Sequence, residues 1–255
     1  MKTDPAARFR VIVERAWWTS LDLIFPPRCS GCRRVGERLC SRCCTQIEYI
    51  SGTVCERCGY PQDAPRTGDC DQCRRVLFPG GGLRSLAFHA GPLRQAIHAL
   101  KYRHNPPLSE VLAGLMAARW PGCLPDDAIL MPVPLSAERM HERGFNQAEL
   151  LARHLGVQRH RPAVTDALQR TRATRSQVGL GATERRENVA GAFSADPEKV
   201  RGASVVVVDD VCTTGATLRA CAEALLQSGA SQVWAYTLAR ARREGAGNFT
   251  FDGGS

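Results

Sequence analysis

Apolar residues along this chain follow two periods, and the two take turns. Residues 205–208 are four valines in succession, which reads as a strand buried on both faces, the pattern of a parallel sheet. From Thr217 the spacing changes: Leu218, Cys221, Ala222, Leu225 and Leu226 fall on one helical face, and Gly229 supplies the stop. Further strands are predicted over residues 84–90, 128–133, 164–168 and 232–238. Helices are predicted from Pro92 (Leu93, Ile97, Leu100 on one face), over 108–120, from Gln147 to Leu155, and over a short stretch ending near Phe193. Residues 5–25 read as a helix with Phe9, Val13, Trp17, Leu21 and Ile24 along one side, ended by Pro26-Pro27. Docking of that helix on its own domain is favoured over a membrane-surface role, because few basic residues flank it. Phe78-Pro79-Gly80-Gly81-Gly82 is a linker by composition, and the glycine-rich stretch from Ala241 reads as disordered. Strands alternating with helices make this an α/β chain with a mostly parallel, twisted sheet. Four parts are expected: an N-terminal helix (1–27), a cysteine-rich segment (28–77), the α/β domain (78–240) and a flexible tail (241–255).

Candidate chemistry begins where the valine strand ends. Asp209 and Asp210 are expected where it leaves the sheet, followed by Cys212, Thr213, Thr214, Gly215, Ala216 and Thr217. Open α/β sheets bind ligands at the carboxyl ends of their strands. Gly215 permits a tight turn, and the N–H groups and threonine hydroxyls at the helix start form a cup for phosphate. Adjacent carboxylates repel an anion but accept hydrogen bonds from a pair of sugar hydroxyls. Phosphate plus vicinal diol means a ribose 5-phosphate. Neither a glycine-lysine P-loop nor a Gly-x-Gly-x-x-Gly fingerprint accompanies it. A second strand end runs into Pro134, Leu135 and Ser136. The polar, basic run that includes Arg170, Arg172, Thr174 and Gln177 reads as a solvated loop, and beside an anion site as a mobile, charge-neutralising lid. Lys101, closing the helix from Pro92, is read as a last-turn cation favoured by the helix dipole.

Cysteine content changes the picture more than any other feature of composition. Of 12 cysteines, eight form four Cys-x-x-Cys pairs: Cys29 and Cys32, Cys40 and Cys43, Cys55 and Cys58, Cys70 and Cys73. No signal peptide or membrane-length apolar run is evident, so a cytoplasmic setting is expected, and clustered pairs there argue for metal over disulfides. A single redox pair at a helix start would be thioredoxin-like; four pairs suit two zinc ribbons, each holding Zn²⁺ with four thiolates. Cross-pairing of the knuckles stays open, as does replacement of Cys43 by Cys44. A structural role for both metals is favoured. The formal charge is +9, but thiolates that bind metal leave the cysteine-rich segment near neutral. Basicity therefore sits elsewhere, and an anionic partner would meet the arginines of residues 139–186.

The stretch 209–218 resembles the phosphoribosyl pyrophosphate (PRPP) motif of type I phosphoribosyltransferases. The whole chain resembles the ComF/GntX competence-type proteins, a double zinc ribbon fused to a type I phosphoribosyltransferase-like domain. The matching pieces are Phe25-Pro26-Pro27, Leu100-Lys101-Tyr102, Pro132-Val133-Pro134-Leu135, Arg143-Gly144-Phe145-Asn146-Gln147-Ala148, residues 170–177 and the 209–218 motif, in family order over roughly residues 20–240. The loop at Pro134–Ser136 and the stretch 170–188 are similar to the diphosphate loop and the flexible loop of glutamine amidophosphoribosyltransferases. The resemblance implies PRPP with Mg²⁺ as ligand and transfer of the ribosyl group with loss of pyrophosphate. No N-terminal nucleophilic cysteine is present, so a glutaminase half is missing. It also implies a second reading: a non-catalytic PRPP- or nucleotide-sensing module in DNA uptake, with single-stranded DNA or a competence helicase as partner.

Overall fold

Four parallel strands set the frame. The computed structural model describes residues 25–64, 68–75, 77–103, 105–172 and 191–242, with Trp18, Asp22 and Val189. Most of the expected N-terminal helix and of the expected tail, and Thr174, Gln177, Arg185, Arg186 and Asn188, lie outside the described residues. In chain order the elements are α1 (Ser41–Thr45), α2 (Asp71–Arg75), β1 (Gly82–Phe88), α3 (Gly91–Tyr102), α4 (Leu108–Ala118) and β2 (Ile129–Pro132). Next come α5 (Ala137–Arg143), α6 (Gln147–Arg159), β3 (Leu168–Arg170) and β4 (Phe193–Ala195). The last are α7 (Pro197–Val200), β5 (Ser204–Cys212), α8 (Ala216–Gln227) and β6 (Gln232–Arg240).

The sheet runs β1-β6-β5-β2, every pairing parallel. Val205, Val206, Val207 and Val208 of β5 are buried completely, as a central parallel strand demands. Their alternation divides the core. Val206 and Val208 pack with Leu93, Ile97 and Leu100 of α3, Leu112 and Met116 of α4, and Leu151 and Leu155 of α6. Val205 and Val207 face the other way, onto Leu218, Cys221 and Leu225 of α8. Tyr236 of β6 is fully buried, and its hydroxyl donates to the Met116 and Arg119 carbonyls at 3.2 and 3.1 Å.

Three expectations are corrected. First, β5 does not leave the sheet at the aspartates: Asp209 still pairs with Thr237, and Cys212 with Arg240. What ends at Val208 is β2, so the aspartates extend past one neighbour while bonded to the other. Second, residues 78–82 are no linker. Phe78 is buried, Gly81 N–H bonds the Val233 carbonyl at 2.9 Å, and a Cβ at Gly81 would lie 2.1 Å from the Trp234 ring. Those glycines let the chain lie flat against β6, which composition alone does not distinguish from slack. Third, Arg170 is a strand residue: it pairs with Phe193 in the antiparallel β3–β4 ribbon, its guanidinium 5.4 Å from that ring.

Candidate functional site

The cysteines assemble into two groups, Cys29, Cys32, Cys40 and Cys43, and Cys55, Cys58, Cys70 and Cys73, with the Sγ atoms of each within 4.8 Å of one another. Measured separations are 3.6 Å for Cys32–Cys40, 3.7 Å for Cys55–Cys73 and 3.4 Å for Cys58–Cys70. A tetrahedral zinc with ~2.3 Å bonds sets sulfur–sulfur edges near ~3.8 Å, so the donors fit that ion. The knuckles do not cross-pair. Cys44 stands outside the first group, its thiol 3.9 Å from the Leu39 carbonyl. Electrostatics agree with the fit. Burial pushes the Cys43 and Cys73 thiols far up, and neighbouring cysteines push them further. Cys29 goes down despite burial, because the N–H groups of Cys32, Cys40 and Gly31 point at its sulfur. Four thiols this close cannot all ionise without a cation, and a divalent metal supplies it. Both groups are structural zinc sites.

The second site is a cleft at the carboxyl edge of the sheet, about 480 Å³ in volume. Its position follows from topology. β2 hands the chain through α5 to α6 on one face, while β5 hands it to α8 on the other, so the two connections part and leave a crevice between the strand ends. Into that crevice come Asp209 and Asp210, residues 213–217, Pro134–Ser136 and Arg170. Gly215, at φ 83°, is the N-cap of α8, and the Thr214 hydroxyl accepts from Ala216 N–H at 3.3 Å. Ser136 caps α5 through Arg139 N–H. Arg172 does not line the cleft, and Thr174 and Gln177 lie outside the described residues.

The two aspartates are not equivalent. Strand alternation sends them to opposite faces of β5. Asp210 is 7% exposed, and its carboxylate takes the Lys101 ammonium at 2.6 Å. Asp209 accepts the N–H of Asp210 at 2.8 Å, and burial followed by the Asp210 charge pushes its carboxyl up to about 7. Nearby, His89 is held below the usual imidazole range by burial first, then by the Lys101 and Arg94 charges.

Sequence reasoning missed several cleft residues. Lys101, expected to answer only the helix dipole, spans from the last turn of α3 to Asp210 of β5. Arg143 is 7% exposed; it donates to Gln147 Oε1 at 2.8 Å and to the Tyr102 hydroxyl at 3.4 Å, both neutral partners. Asn146 caps α6 by accepting from Ala148 N–H and donates to the Val133 carbonyl, both at 3.0 Å, which fixes the α5–α6 corner against the end of β2. The signal was present in the Leu100-Lys101-Tyr102 and Arg143–Ala148 motifs, whose roles no local pattern announces. Five permanent cations (Arg94, Lys101, Arg139, Arg143, Arg170) line the cleft against three acids (Glu138, Asp209, Asp210). Among the described residues no acid pairs with Arg143. A buried cation without an anionic partner is costly, and the arrangement suits a ligand that brings negative charge.

Comparison with known proteins matches both parts of the chain. Residues 20–74 match the double zinc ribbon domain, and residues 141–248 match the phosphoribosyl transferase domain. The chain is 35% identical over 204 residues to the DNA utilization protein YhgH of Escherichia coli (strain K12), covering 77% of this chain and 88% of that protein. The chain belongs to the ComF/GntX family. It is also similar to competence protein F of Haemophilus influenzae (31% identical, 84% of this chain, 97% of that one). Competence protein ComFC of Bacillus subtilis (strain 168) is 29% identical, covering 88% and 89%. No helix among the described residues is long and apolar enough to cross a membrane. The ComF/GntX pairing of zinc ribbons with a phosphoribosyl transferase domain thus has a spatial counterpart: α3, packed on the first ribbon, delivers Lys101 to the cleft.

Proposed function

We propose that the cleft binds PRPP, or another ribose 5-phosphate ligand, and that the protein is phosphoribosyltransferase-like and works in the cytoplasm on the handling of incoming DNA. The relatives named for DNA utilization and competence support that setting. The observation that carries the ligand is the convergence, in one cation-rich cleft, of the helix-start cup (Thr213, Thr214, Gly215, Ala216, Thr217), the acidic pair (Asp209, Asp210) and the Pro134–Ser136 loop. The volume lies within the ~300–1,000 Å³ usual for small-molecule sites. The 5-phosphate takes the cup, where N–H groups and the α8 dipole favour an anion. The aspartates accept the ribose hydroxyls, and the diphosphate with its Mg²⁺ lies toward Pro134–Ser136 and the cleft arginines. In transfer, an acceptor lone pair forms the new bond at ribose C1′ while the bond to the diphosphate oxygen breaks and its electrons leave with pyrophosphate. Ionised carboxylates beside C1′ stabilise the positive charge that develops there.

Calorimetry with PRPP and Mg²⁺ tests this. Replacing either aspartate by Ala should weaken binding about 10- to 150-fold, the scale of one hydrogen bond to a charged group. Equal affinity in wild type and the Asp209→Ala/Asp210→Ala variant, or no binding by folded wild type, overturns the reading. The pH dependence has a definite sign. Burial and the Asp210 charge hold the Asp209 carboxyl at about 7, so it is protonated below that pH, and the ligand hydroxyls need it ionised. Affinity should therefore rise from about pH 6 to about pH 8, with proton release on binding. Pyrophosphate release from PRPP with a panel of amines, bases and DNA oligonucleotides separates a transferase from a non-catalytic sensor.

A further inference from the structure

The contact between Lys101 and Asp210 does more than close a helix. Its 2.6 Å geometry and the low exposure of both side chains, 19% and 9%, mark it as a partly desolvated ion pair inside the cleft. Asp210 is one of the two carboxylates that the ribose hydroxyls need under the reading above, and it is already engaged by Lys101. An ammonium has three donors and no acceptor, and it loses heavily if left without an anion in a half-closed site. The cleft offers it little else: Glu138 and Asp209 are the remaining acids, and the surroundings are Arg94 on α3, His89 after β1, Arg139 and Arg143 on α5 and Arg170 on β3. A sugar hydroxyl cannot replace the carboxylate as partner for Lys101. An anion arriving on the same ligand can.

We propose that Lys101 is a specificity-determining residue: it makes a second anion on the ribose a condition of tight binding, by guarding Asp210 until a diphosphate takes the ammonium over. The inference rests on the ligand reading above and deepens it. In this scheme ribose 5-phosphate binds against an intact ion pair, whereas PRPP binds with the pair opened and Lys101 turned onto the diphosphate. The device rejects the monophosphate sugar without a clash, since the penalty is an unpaired charge.

The experiment titrates PRPP, ribose 5-phosphate and inorganic pyrophosphate, each with Mg²⁺, into wild type, Lys101→Met, Lys101→Arg and Asp210→Asn, with melting curves to verify folding. Wild type should prefer PRPP to ribose 5-phosphate, and Lys101→Met should shrink that preference about 10- to 150-fold, chiefly through PRPP. Ribose 5-phosphate should bind Lys101→Met as well as wild type or better, and Lys101→Arg should keep most of the preference. Asp210→Asn gives opposite signs: freeing the ammonium should tighten inorganic pyrophosphate while weakening ribose 5-phosphate. A merely structural Lys101 would move both sugars together on Lys101→Met and leave pyrophosphate untouched on Asp210→Asn. Either result overturns the proposal while leaving PRPP binding intact. No PRPP binding by folded wild type would overturn the ligand reading itself.

Discussion

The two cysteine groups use the same four donors and are held in opposite ways. Cys29, Cys40 and Cys43 are part of the main core, packed with Leu39, Ile47 and the α3 residues Leu93, Ile97 and Leu100. Cys55, Cys58, Cys70 and Cys73 form a small cluster with Tyr60 that is separate from that core. Polar bonds tie it to the sheet instead: Leu83 N–H to the Arg57 carbonyl at 2.7 Å, Arg84 to the Glu56 carbonyl at 2.7 Å, and Arg240 to the Cys58 carbonyl. Arg240 also lies over the Tyr60 ring, 5.3 Å from its centroid. In the first ribbon the metal shares its work with apolar burial that the α/β domain needs anyway. In the second, metal and hydrogen bonds must do nearly everything, because so few apolar side chains are present. Identical ligand sets thus predict unequal consequences.

The largest expected difference comes from removing one ligand at each centre. Metal-linked folding free energy reaches ~10–16 kcal/mol, so Cys43→Ser and Cys73→Ser should each lose a zinc. Cys43→Ser should also pull down the melting transition of the whole domain, through α3. Cys73→Ser should leave that transition within a few degrees of wild type. Calorimetric melting with zinc stoichiometry reads both, and equal losses would erase the distinction. An intermediate effect is expected at Arg240, whose guanidinium faces the net −2 charge of a four-thiolate zinc site. Arg240→Met should cost about 2–3 kcal/mol, from a charged hydrogen bond and a ring contact. It should speed zinc release to a chelating dye at the second centre alone; matched acceleration at both centres would mean that Arg240 is generic core. The smallest effect belongs to Arg84, a partly exposed side chain on the same interface. Arg84→Ala should cost about 1 kcal/mol in denaturant titrations without altering zinc content; a loss as large as that at Arg240 would show that the strand contact, not the buried cation, anchors the ribbon.

What the sequence made legible follows the range of the interaction. The valine strand, the helix after Gly215 and the Cys-x-x-Cys knuckles are local patterns, and each stands where its spacing placed it. That residues 213–217 and the two aspartates lie side by side at one cleft follows from the same local order. Lys101 was not legible: its partner is Asp210, far along the chain, and a lysine in the last turn of a helix looks the same whether it faces water or a carboxylate. Arg143 was hidden likewise, since its burial arises where α5, α6 and α3 meet. The glycines at 80–82 misled because close packing and slack require the same missing side chain.

The placement of β6 between β1 and β5 has a consequence for the order in which the molecule is made. β1 reaches its partner only when residues some 150 positions later arrive, as in the Ser85–Thr237 hydroxyl contact across 152 residues. Arg240 stands 182 residues after Cys58. At ~5–20 residues per second, roughly 10–40 s of translation separate that knuckle from the side chain that holds it. Both ribbons therefore emerge before the sheet that will carry them is complete. The pairing of β6 between β1 and β5 is thus the late step that joins the ribbons and the rest of the sheet into one protein.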